Sequence, residues 1–180
     1  MSFNLRPATI EDAGTIAALH IQGWRDAYKH IVDQDYLDTL SLSEKTAEWQ
    51  DWLADETIDT LFTEQDGRAL GFASFGKLRT PPPGMSPIRP LYSAELYALY
   101  IHPDAWRQGL GKQLMAATAE TLAEKKHKSL CLWVADKNKP ANFFYKALGG
   151  ERCGKQDITV GPSSFRDVCY GWRKAAILIS

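Results

Sequence analysis

The amino-acid sequence predicts a single domain of the α/β (α+β) class over residues 1–180, in which helices flank a mixed β-sheet. The first observation behind this prediction is the order of hydrophobic patterns along the chain, which reads β-α-α-β-β-β-α-β-α-β-β. The second is the composition, since 44% hydrophobic and 24% charged residues are close to the average of globular proteins. The pattern therefore predicts about seven strands and about four helices.

The chain begins with a short strand and two helical stretches. Residues 3–6 are predicted as the strand, and Thr9-Ile10-Glu11-Asp12 then starts a helix, because a hydroxyl cap is followed by an acid three residues later. Hydrophobic residues recur at helical spacing from Ile16 to Ile31, which predicts a long amphipathic helix. A second, broken helical pattern continues to about Leu53.

A hairpin and a long loop follow. Two short β-rich runs, residues 58–63 and 69–75, are separated by the turn Gln65-Asp66-Gly67 and predict the hairpin. Residues 80–90 contain five prolines and predict a loop, because proline can neither donate to a β-ladder nor continue a helix. This loop is too long for a plain turn, and long loops in compact domains are often functional.

The second half of the chain alternates strands and helices. The helical pattern over residues 108–126 ends in basic residues, which suit the negative pole of a helix dipole. The pattern over residues 138–148 ends at Gly149-Gly150, a helix stop signal. An apolar run over residues 130–134 is typical of a strand at a sheet centre. Further strands are predicted over residues 93–101, 152–160 and 165–172.

The charge and cysteine content bounds the partners and the compartment. The net charge of −1 gives no reason to expect nucleic acid, and no apolar run is long enough to span a bilayer. Three widely spaced cysteines without a CxxC motif are typical of reduced thiols in a cytoplasmic protein. Residues 31–60 hold nine acids and one base, whereas residues 102–180 carry a net charge of +6. Such polarity suits a cationic ligand and an anionic ligand on opposite sides, although solvated helix faces also explain the acids.

The most informative segment joins a predicted strand to a predicted helix. It contains Leu99-Tyr100-Ile101-His102-Pro103 and, after a turn, Gln108-Gly109-Leu110-Gly111-Lys112. Glycines let several backbone N–H groups point outward at a helix N-terminus, where the helix dipole favours an anion such as phosphate. Arg107 and Lys112 add positive charge. Neither a GxGxxG pattern nor a P-loop fits, and a generic strand-to-helix turn is the alternative explanation.

Two motifs resemble those of a known family. The run from Leu99 to Gly111 looks like the acetyl-CoA signature of the GCN5-related N-acetyltransferases (GNAT). That family's Asn-x-x-Ala-x-x-x-Tyr-x-x-x-Gly element is matched by Asn138-Lys139-Pro140-Ala141, Phe144-Tyr145 and Leu148-Gly149. Trp106 departs from the signature, which has Arg or Gln there. The resemblance covers nearly the whole chain. It implies the acyl-CoA N-acyltransferase fold, with a mainly antiparallel sheet, and acetyl-CoA as co-substrate without a metal.

The resemblance also assigns an acetyl-CoA site. Backbone groups of Leu99 and Ile101 would hold the pantetheine arm, and the turn that follows would wrap the pyrophosphate. Asn138 would contact the cofactor where two central strands splay apart. The implied cofactor-binding residues are Leu99, Tyr100, Ile101, Arg107, Gln108, Gly109, Leu110, Gly111, Lys112, Asn138 and Tyr145.

Acetyl transfer to an amine needs a proton acceptor and a proton donor. Only about a thousandth of an alkylamine with a pKa near ~10.4 is neutral near pH 7.4, and an acid helps the thiolate to leave. By the resemblance Tyr145 lies near the thioester sulfur and is the expected acid. Glu95, on the strand before the glycine turn, is the expected base, with a water chain as the alternative. Trp133 occupies the position that carries the base in some relatives, and Asp136 and His102 are weaker candidates.

The acceptor is expected to be a primary amine of a small molecule or a peptide, and a cationic one, because aromatic rings and carboxylates together suit a cation. The helix with Trp24 and Tyr28, followed by Asp35-Tyr36-Leu37, faintly resembles the polyamine-acetylating branch of the family. Core packing also explains any one of these aromatic residues. The sequence leaves open whether the protein forms a homodimer, and neither nucleic acid nor a membrane is expected as a partner. The candidate acceptor-binding residues are Trp24, Tyr28, Tyr97 and Trp133, with Tyr92 beside them.

Three other functions stay open at this point. The first is a non-catalytic sensor that binds acyl-CoA on the same fold. The second is acetylation of an aminoacyl-tRNA, against which the acidic segment argues, because RNA binding needs positive charge. The third is an unrelated phosphate-binding fold that uses the glycine turn for a simple nucleotide.

Overall fold

A computed structural model describes residues 3–82 and 91–179. Within these residues the strands are β1 (Asn4–Pro7), β2 (Ile58–Gln65), β3 (Arg68–Lys77), β4 (Ala94–Ile101), β5 (Leu130–Ala135), β6 (Glu151–Val160) and β7 (Ser163–Trp172). The α-helices of the same residues are α1 (Ala13–Tyr28), α2 (Gln34–Asp38), α3 (Leu42–Ala54), α4 (Leu110–Glu124) and α5 (Lys139–Ala147). Short 3₁₀ helices cover Ile10–Asp12, Pro103–Ala105 and Ala175–Ile179.

The strands form one sheet in the order β1-β2-β3-β4-β5-β7-β6. Every neighbouring pair is antiparallel except β4 and β5, which run parallel. The predicted mixed and mainly antiparallel sheet of about seven strands is therefore confirmed. Residues 83–90, which hold three of the five prolines of the predicted long loop, lie outside the described residues.

The second helical stretch is two helices, so the described residues contain five α-helices where the sequence pattern predicts about four. Asp33 precedes α2, and its side chain accepts a hydrogen bond from the Tyr36 N–H at 3.1 Å. Ser41 precedes α3, and its hydroxyl accepts from the Glu44 N–H at 3.4 Å. Because each short polar side chain satisfies a free N–H of its own helix start, the pattern breaks between the two caps.

The predicted hairpin is confirmed with a two-residue turn. Gln65 pairs with Arg68, and the residues between them, Asp66 and Gly67, have φ values of 52° and 74°. Positive φ at both central positions is the type I′ geometry, whose twist matches that of two antiparallel strands. The turn therefore joins β2 to β3.

Helices cover both faces of the sheet. On one face α1 and α3 pack around Ile16, Trp49 and Phe72, and on the other α4 packs around Leu114 together with the 3₁₀ helix Ala175–Ile179. Each of these four side chains is almost fully buried, and burying one such side chain stabilises the fold by roughly 1.5–3 kcal/mol. The two layers hold the central strands between them, and the candidate site lies where those strands separate.

Candidate active site

Strands β4 and β5 separate part-way along their length. Residues 94–96 of β4 pair with residues 130–132 of β5, and the described pairing does not extend to residues 97–101 and 133–135. On their other sides both strands stay paired, β4 with β3 and β5 with β7. Tyr97 falls at a register shift against β3, a β-bulge that bends β4 where the separation begins. The strands therefore enclose a wedge-shaped gap that opens toward their C-terminal ends.

The unpaired edge of β4 presents backbone hydrogen-bonding groups to this gap. His102 donates its N–H to the Leu70 carbonyl of β3 at 2.7 Å. Because successive residues of a strand point their peptide groups in opposite directions, those of Leu99 and Ile101 face the gap. The Trp106 indole N–H donates to the Ile101 carbonyl at 2.8 Å, so this departure from the family signature closes the end of β4.

The glycine turn lies at the end of β4 and begins α4. Gly109 is the N-cap residue with φ of +85°, and no side chain caps the helix. A Cβ atom at Gly109 would meet nothing within 4 Å, so the space in front of the first helical turn is open. The first N–H groups of a helix have no partner inside it, and the helix dipole favours an anion there. With the exposed side chains of Arg107 and Lys112, the turn fits a diphosphate.

Three neighbours in this turn have structural roles that the motif does not assign. A Cβ atom at Gly111 would lie 2.9 Å from the Phe144 ring, so the absence of a side chain lets α4 approach α5 closely. The Leu110 side chain is fully buried in the core, which leaves only its backbone for a ligand. Gln108 donates its side-chain N–H to the Asp104 carbonyl at 2.6 Å and thereby holds the turn.

Helix α5 brings Tyr145 to the sheet. Asn138 is the N-cap of this helix, and its side-chain oxygen accepts from the Ala141 N–H at 3.2 Å. The Tyr145 ring is 7% exposed and lies among aromatic rings, with centroids 6.1 Å from Tyr170 and 6.3 Å from Trp172. Burial raises the pKa of the Tyr145 hydroxyl, so the phenol keeps its proton at neutral pH. A protonated phenol can act as a proton donor.

The side chain of Tyr100 lies on the face of the sheet that α1 covers, opposite to the face that α4 covers. Its ring centroid is 4.9 Å from that of His20. Gly23 of α1 faces the same ring, and a Cβ atom there would lie only 2.2 Å from it. The sheet thus separates the Tyr100 ring from α4 and the glycine turn.

Glu95 lies at the closed end of the gap, where β4 and β5 are still paired. It is 7% exposed, and its Oε2 atom accepts from the Arg79 N–H at 2.8 Å and from the Thr80 N–H at 2.7 Å. Burial raises the pKa of Glu95, and the two hydrogen bonds oppose that rise. The carboxylate therefore holds the segment after β3 and has a higher proton affinity than a solvated glutamate.

Two of the four candidate acceptor residues contact this same segment. The Tyr97 hydroxyl donates to the Lys77 carbonyl at 2.5 Å, and the Arg79 guanidinium lies 4.2 Å from the centre of its ring. The Trp133 indole donates to the Thr80 carbonyl at 2.9 Å. The side chains of Tyr97 and Trp133 therefore line the part of the site around Glu95.

The other two candidate acceptor residues, Trp24 and Tyr28, lie on α1 in a second part of the site. The rings of Trp24 and Tyr28 are 4.9 Å apart, and Tyr28 lies 5.8 Å from Phe165 of β7. The structure thus brings the four aromatic residues into two groups and not into one cluster. Tyr92, expected beside them, is 2% exposed and packs in the core against Cys131.

Comparison with known proteins decides the family. A family model described as the acetyltransferase (GNAT) family matches residues 24–149, which include the gap, the glycine turn and α5. The chain belongs to the GNAT acetyltransferase family. It is an acetyl-CoA-dependent N-acetyltransferase, and this confirms the prediction from the two sequence motifs.

Individual relatives of this acetyltransferase agree with the match. The uncharacterized N-acetyltransferase YuaI of Bacillus subtilis (strain 168) is 34% identical over 170 residues, which cover 93% of this chain and 91% of YuaI. The PaiA N-acetyltransferase of Thermoplasma acidophilum, solved with coenzyme A, superposes with a TM-score of 0.70 at 21% identity, over 95% of this chain and 98% of that one. The yncA structure from Salmonella typhimurium, solved with acetyl-CoA, gives 0.67 at 18% identity, over 95% and 92% of the two chains. Both solved structures share the fold.

The weaker catalytic candidates of this acetyltransferase are engaged in structural contacts. Asp136 forms an ion pair with Arg152. His102 precedes the 3₁₀ helix Pro103–Ala105, and its Nδ1 atom accepts from the Asp104 N–H at 3.2 Å. Eight of the nine acids in residues 31–60 are exposed, as expected for solvated helix faces.

Two residues that the sequence reasoning missed also lie near the gap of this acetyltransferase. Asn142 of α5 donates to the carbonyls of Ala135 at 2.9 Å and Asn138 at 2.7 Å, and so ties the end of β5 to α5. Its position inside the second motif is the signal that could have singled it out. Asp167 of β7 is a buried carboxylate opposite Ala135, and no local pattern distinguishes it from a surface aspartate.

Neither a cluster of metal-ligating side chains nor a membrane-spanning helix is found in residues 3–82 and 91–179. These residues contain no group of three or more His, Cys, Asp or Glu side chains placed to hold a metal ion. None of the helices formed by these residues has the length and hydropathy needed to cross a bilayer.

Proposed function

We propose that this enzyme acetylates a primary amine of a small molecule or a peptide, with Glu95 as the base, directly or through water, and Tyr145 as the acid. When bound, acetyl-CoA supplies the activated acetyl group and a thiolate leaving group. Glu95 takes one proton from the ammonium group, and the neutral nitrogen then forms the new bond to the carbonyl carbon as the C–S bond breaks. The second proton that the nitrogen loses passes to solvent and replaces the one that Tyr145 donates. Tyr145 gives its phenolic proton to the thiolate sulfur.

The observation that carries this proposal is the gap between β4 and β5, with one of the two groups at its closed end and the other on the helix beside it. Burial raises the pKa of Glu95 and thereby makes it a stronger base, and Tyr145 is protonated at neutral pH and so has a proton to donate. The backbone groups of Leu99 and the N–H of Ile101, which β5 does not pair, support the placement of an extended pantetheine chain along β4. The open turn at Gly109 supports the placement of the pyrophosphate.

The names of two relatives support an amine as the acceptor. The peptidyl-lysine N-acetyltransferase YiaC of Escherichia coli (strain K12) is 34% identical over 102 residues, 56% of each chain. The mycothiol acetyltransferase of Arthrobacter sp. (strain FB24) is 30% identical over 138 residues, which cover 77% of this chain and 40% of that protein. Small amines and peptidyl lysines therefore both belong in an acceptor screen.

The variants Tyr145→Phe and Glu95→Gln test the two catalytic roles. Gln keeps an oxygen that can accept the N–H groups of Arg79 and Thr80, so the segment after β3 should stay in place. Each variant should lower kcat by about 10²-fold or more, the usual contribution of a positioned acid or base. Thiol release from acetyl-CoA measures turnover, and coenzyme A binding, measured by calorimetry, should be unchanged.

Three results would contradict this proposal. Full activity of both variants would remove these residues from catalysis. Binding of coenzyme A without turnover on polyamines, aminoglycosides, amino acids and peptides would favour an acyl-CoA sensor. Thermal stabilisation by simple nucleotides as strong as that by coenzyme A would favour a generic phosphate site.

A further inference from the structure

Asp167 is a buried carboxylate without a partner among the residues that the structure describes. It is 8% exposed, and its Oδ1 atom is fully buried and accepts no hydrogen bond. In the described part of the chain only two other buried side-chain oxygens lack a partner, and both are neutral hydroxyls, those of Thr63 and Thr118. Asp167 is thus the one charged group left in this state within those residues.

The cations next to Asp167 are paired with other acids. Arg166, its neighbour in β7, donates to Asp157 of β6 at 2.9 Å, and Arg152 pairs with Asp136 at the end of β5. Within residues 3–82 and 91–179 no ion pair includes Asp167. A buried carboxylate is costly unless a cation or several hydrogen-bond donors compensate its charge. Within this part of the chain the charge of Asp167 has no such compensation.

Asp167 remains ionised under ordinary conditions. Burial raises its pKa to about 6, so that at neutral pH most molecules still carry the charge. The tyrosines on the neighbouring elements, Tyr28 of α1 and Tyr100 of β4, have pKa values raised in part by the negative charge of Asp167. The carboxylate therefore lies near both of these phenols.

Aromatic rings lie on the face of the sheet to which Asp167 points. Asp167 points to the same face of β7 as Phe165, because side chains two residues apart in a strand share a face. Phe165 packs with Ala135 of β5 and with the pair Trp24 and Tyr28 of α1. A carboxylate bordered by aromatic rings is an environment that binds an alkylammonium ion through both charge and cation–π contact.

The sheet register separates Asp167 from Glu95. Glu95 pairs with Cys131 of β5, whereas Asp167 pairs with Ala135, four residues further along the same strand. Four residues of a strand span roughly 13 Å. A group bound at Asp167 is therefore distinct from a nitrogen that gives its proton to Glu95.

We propose that Asp167 binds a second cationic group of the acceptor and selects amines that carry a positive charge at a distance from the nitrogen that is acetylated. This inference rests on the proposed function, and it adds the acceptor class and the residue that selects it. Asp167 contacts the acceptor but takes no part in the proton transfers. The acceptor then spans both parts of the site, with its reacting end near Glu95 and its charged end between Asp167 and α1.

The test compares α,ω-diamines of increasing chain length with the monoamines of the same lengths. Wild-type enzyme should have a lower KM for the longer diamines than for the matched monoamines. Asp167→Asn should raise KM for these diamines by about tenfold or more, as expected for the loss of one charge-assisted contact. It should leave kcat and the KM for monoamines little changed. Asp157→Asn, in the same hairpin and exposed, is the matched control and should change neither KM.

Each other outcome has a clear meaning. Equal KM values of wild-type enzyme for diamines and monoamines overturn the inference, whether or not Asp167→Asn folds. A diamine preference that survives in folded Asp167→Asn also overturns it. A fall in kcat for monoamines and diamines alike would make Asp167 part of the proton transfer and refute the binding role. Absence of all turnover with intact coenzyme A binding is a different result, because it contradicts the proposed function itself.

Discussion

Replacing Asp167 by asparagine should stabilise the folded protein at neutral pH when no acceptor is bound. The pKa of this carboxyl rises from its usual 3.8 to about 6 because burial disfavours the charge. A rise of about two pKa units corresponds to a cost of about 3 kcal/mol in the folded state. The buried amide of asparagine has its own desolvation cost, so the expected gain in the free energy of unfolding is about 1–3 kcal/mol.

The gain should depend on pH in a defined direction. The folded protein binds the Asp167 proton more tightly than the unfolded chain does, so folding becomes less favourable as pH rises from about 4 to about 6. Above about pH 7 the difference is constant, because the carboxyl is ionised in both states. Near pH 4 it nearly vanishes, because the folded state is fully protonated and the unfolded state is about half protonated. Asparagine does not titrate and lacks this dependence.

Urea unfolding measures the effect directly. Tryptophan fluorescence follows the transition at pH 7.5 and again near pH 4, for wild-type protein, Asp167→Asn and the exposed control Asp157→Asn. At pH 7.5 Asp167→Asn should also raise Tm by about 2–12 °C for a chain of this length. A lower stability of Asp167→Asn at pH 7.5 would refute the reasoning, because it would mean that the carboxylate is compensated in the folded state. A gain of equal size near pH 4 would refute it as well.

Three further predictions concern the glycine turn. Gly109→Val should abolish the thermal stabilisation by coenzyme A, because a β-branched residue at φ of +85° is strained and its side chain enters the open space before α4; unchanged coenzyme A affinity would contradict the turn assignment. Gly111→Val should lower the stability of the protein even without ligand, since its Cβ would lie 2.9 Å from the Phe144 ring, and Phe144→Ala should restore part of the loss; full stability of the single variant in urea would contradict this packing. Trp106→Phe removes the hydrogen bond to the Ile101 carbonyl and should cost about 1 kcal/mol in unfolding free energy, with coenzyme A affinity within a few-fold of wild type by calorimetry.

The unpaired charge of Asp167 bears on how this enzyme balances stability against function. Replacing a residue that weakens the free protein and binds the acceptor raises the stability and also raises KM, which is a loss of acceptor affinity. Replacing a residue that only packs would lower the stability of the protein and leave the diamine preference unchanged. The stability and the KM of Asp167→Asn together therefore test the binding role of Asp167 without any assumption about the natural acceptor.

The parts of the fold that sequence predicted best are those with a local cause. The turn at Asp66 and Gly67 needs positive φ at two successive residues, and the helix start at Thr9 needs a hydroxyl followed by an acid. The break between α2 and α3 was less visible, because Asp33 and Ser41 resemble any other polar residues of an acidic surface helix. Their effect as caps depends on the single N–H that each one accepts.

The candidate site divides in the same way. The glycine turn and Tyr145 were found from motifs, in which glycine and tyrosine recur at fixed spacing. The partners of Glu95 were not found, since Arg79 and Thr80 reach its carboxylate only when β3 and β4 pair. The expectation of one aromatic acceptor cleft also lacked this information, because composition does not tell that Trp133 is bonded to Thr80.

The sequence by itself determined the family, the order of the elements and the segment proposed to bind the acetyl donor, because each depends on residues close together in the chain. Only the tertiary structure decided where β4 and β5 part, after three paired residues, and that β7 lies between β5 and β6. It also decided that Asp167 is buried near Tyr28, far away in sequence, and forms no ion pair within the described residues. Burial and charge pairing arise from groups brought together by folding, and no neighbouring residue records them.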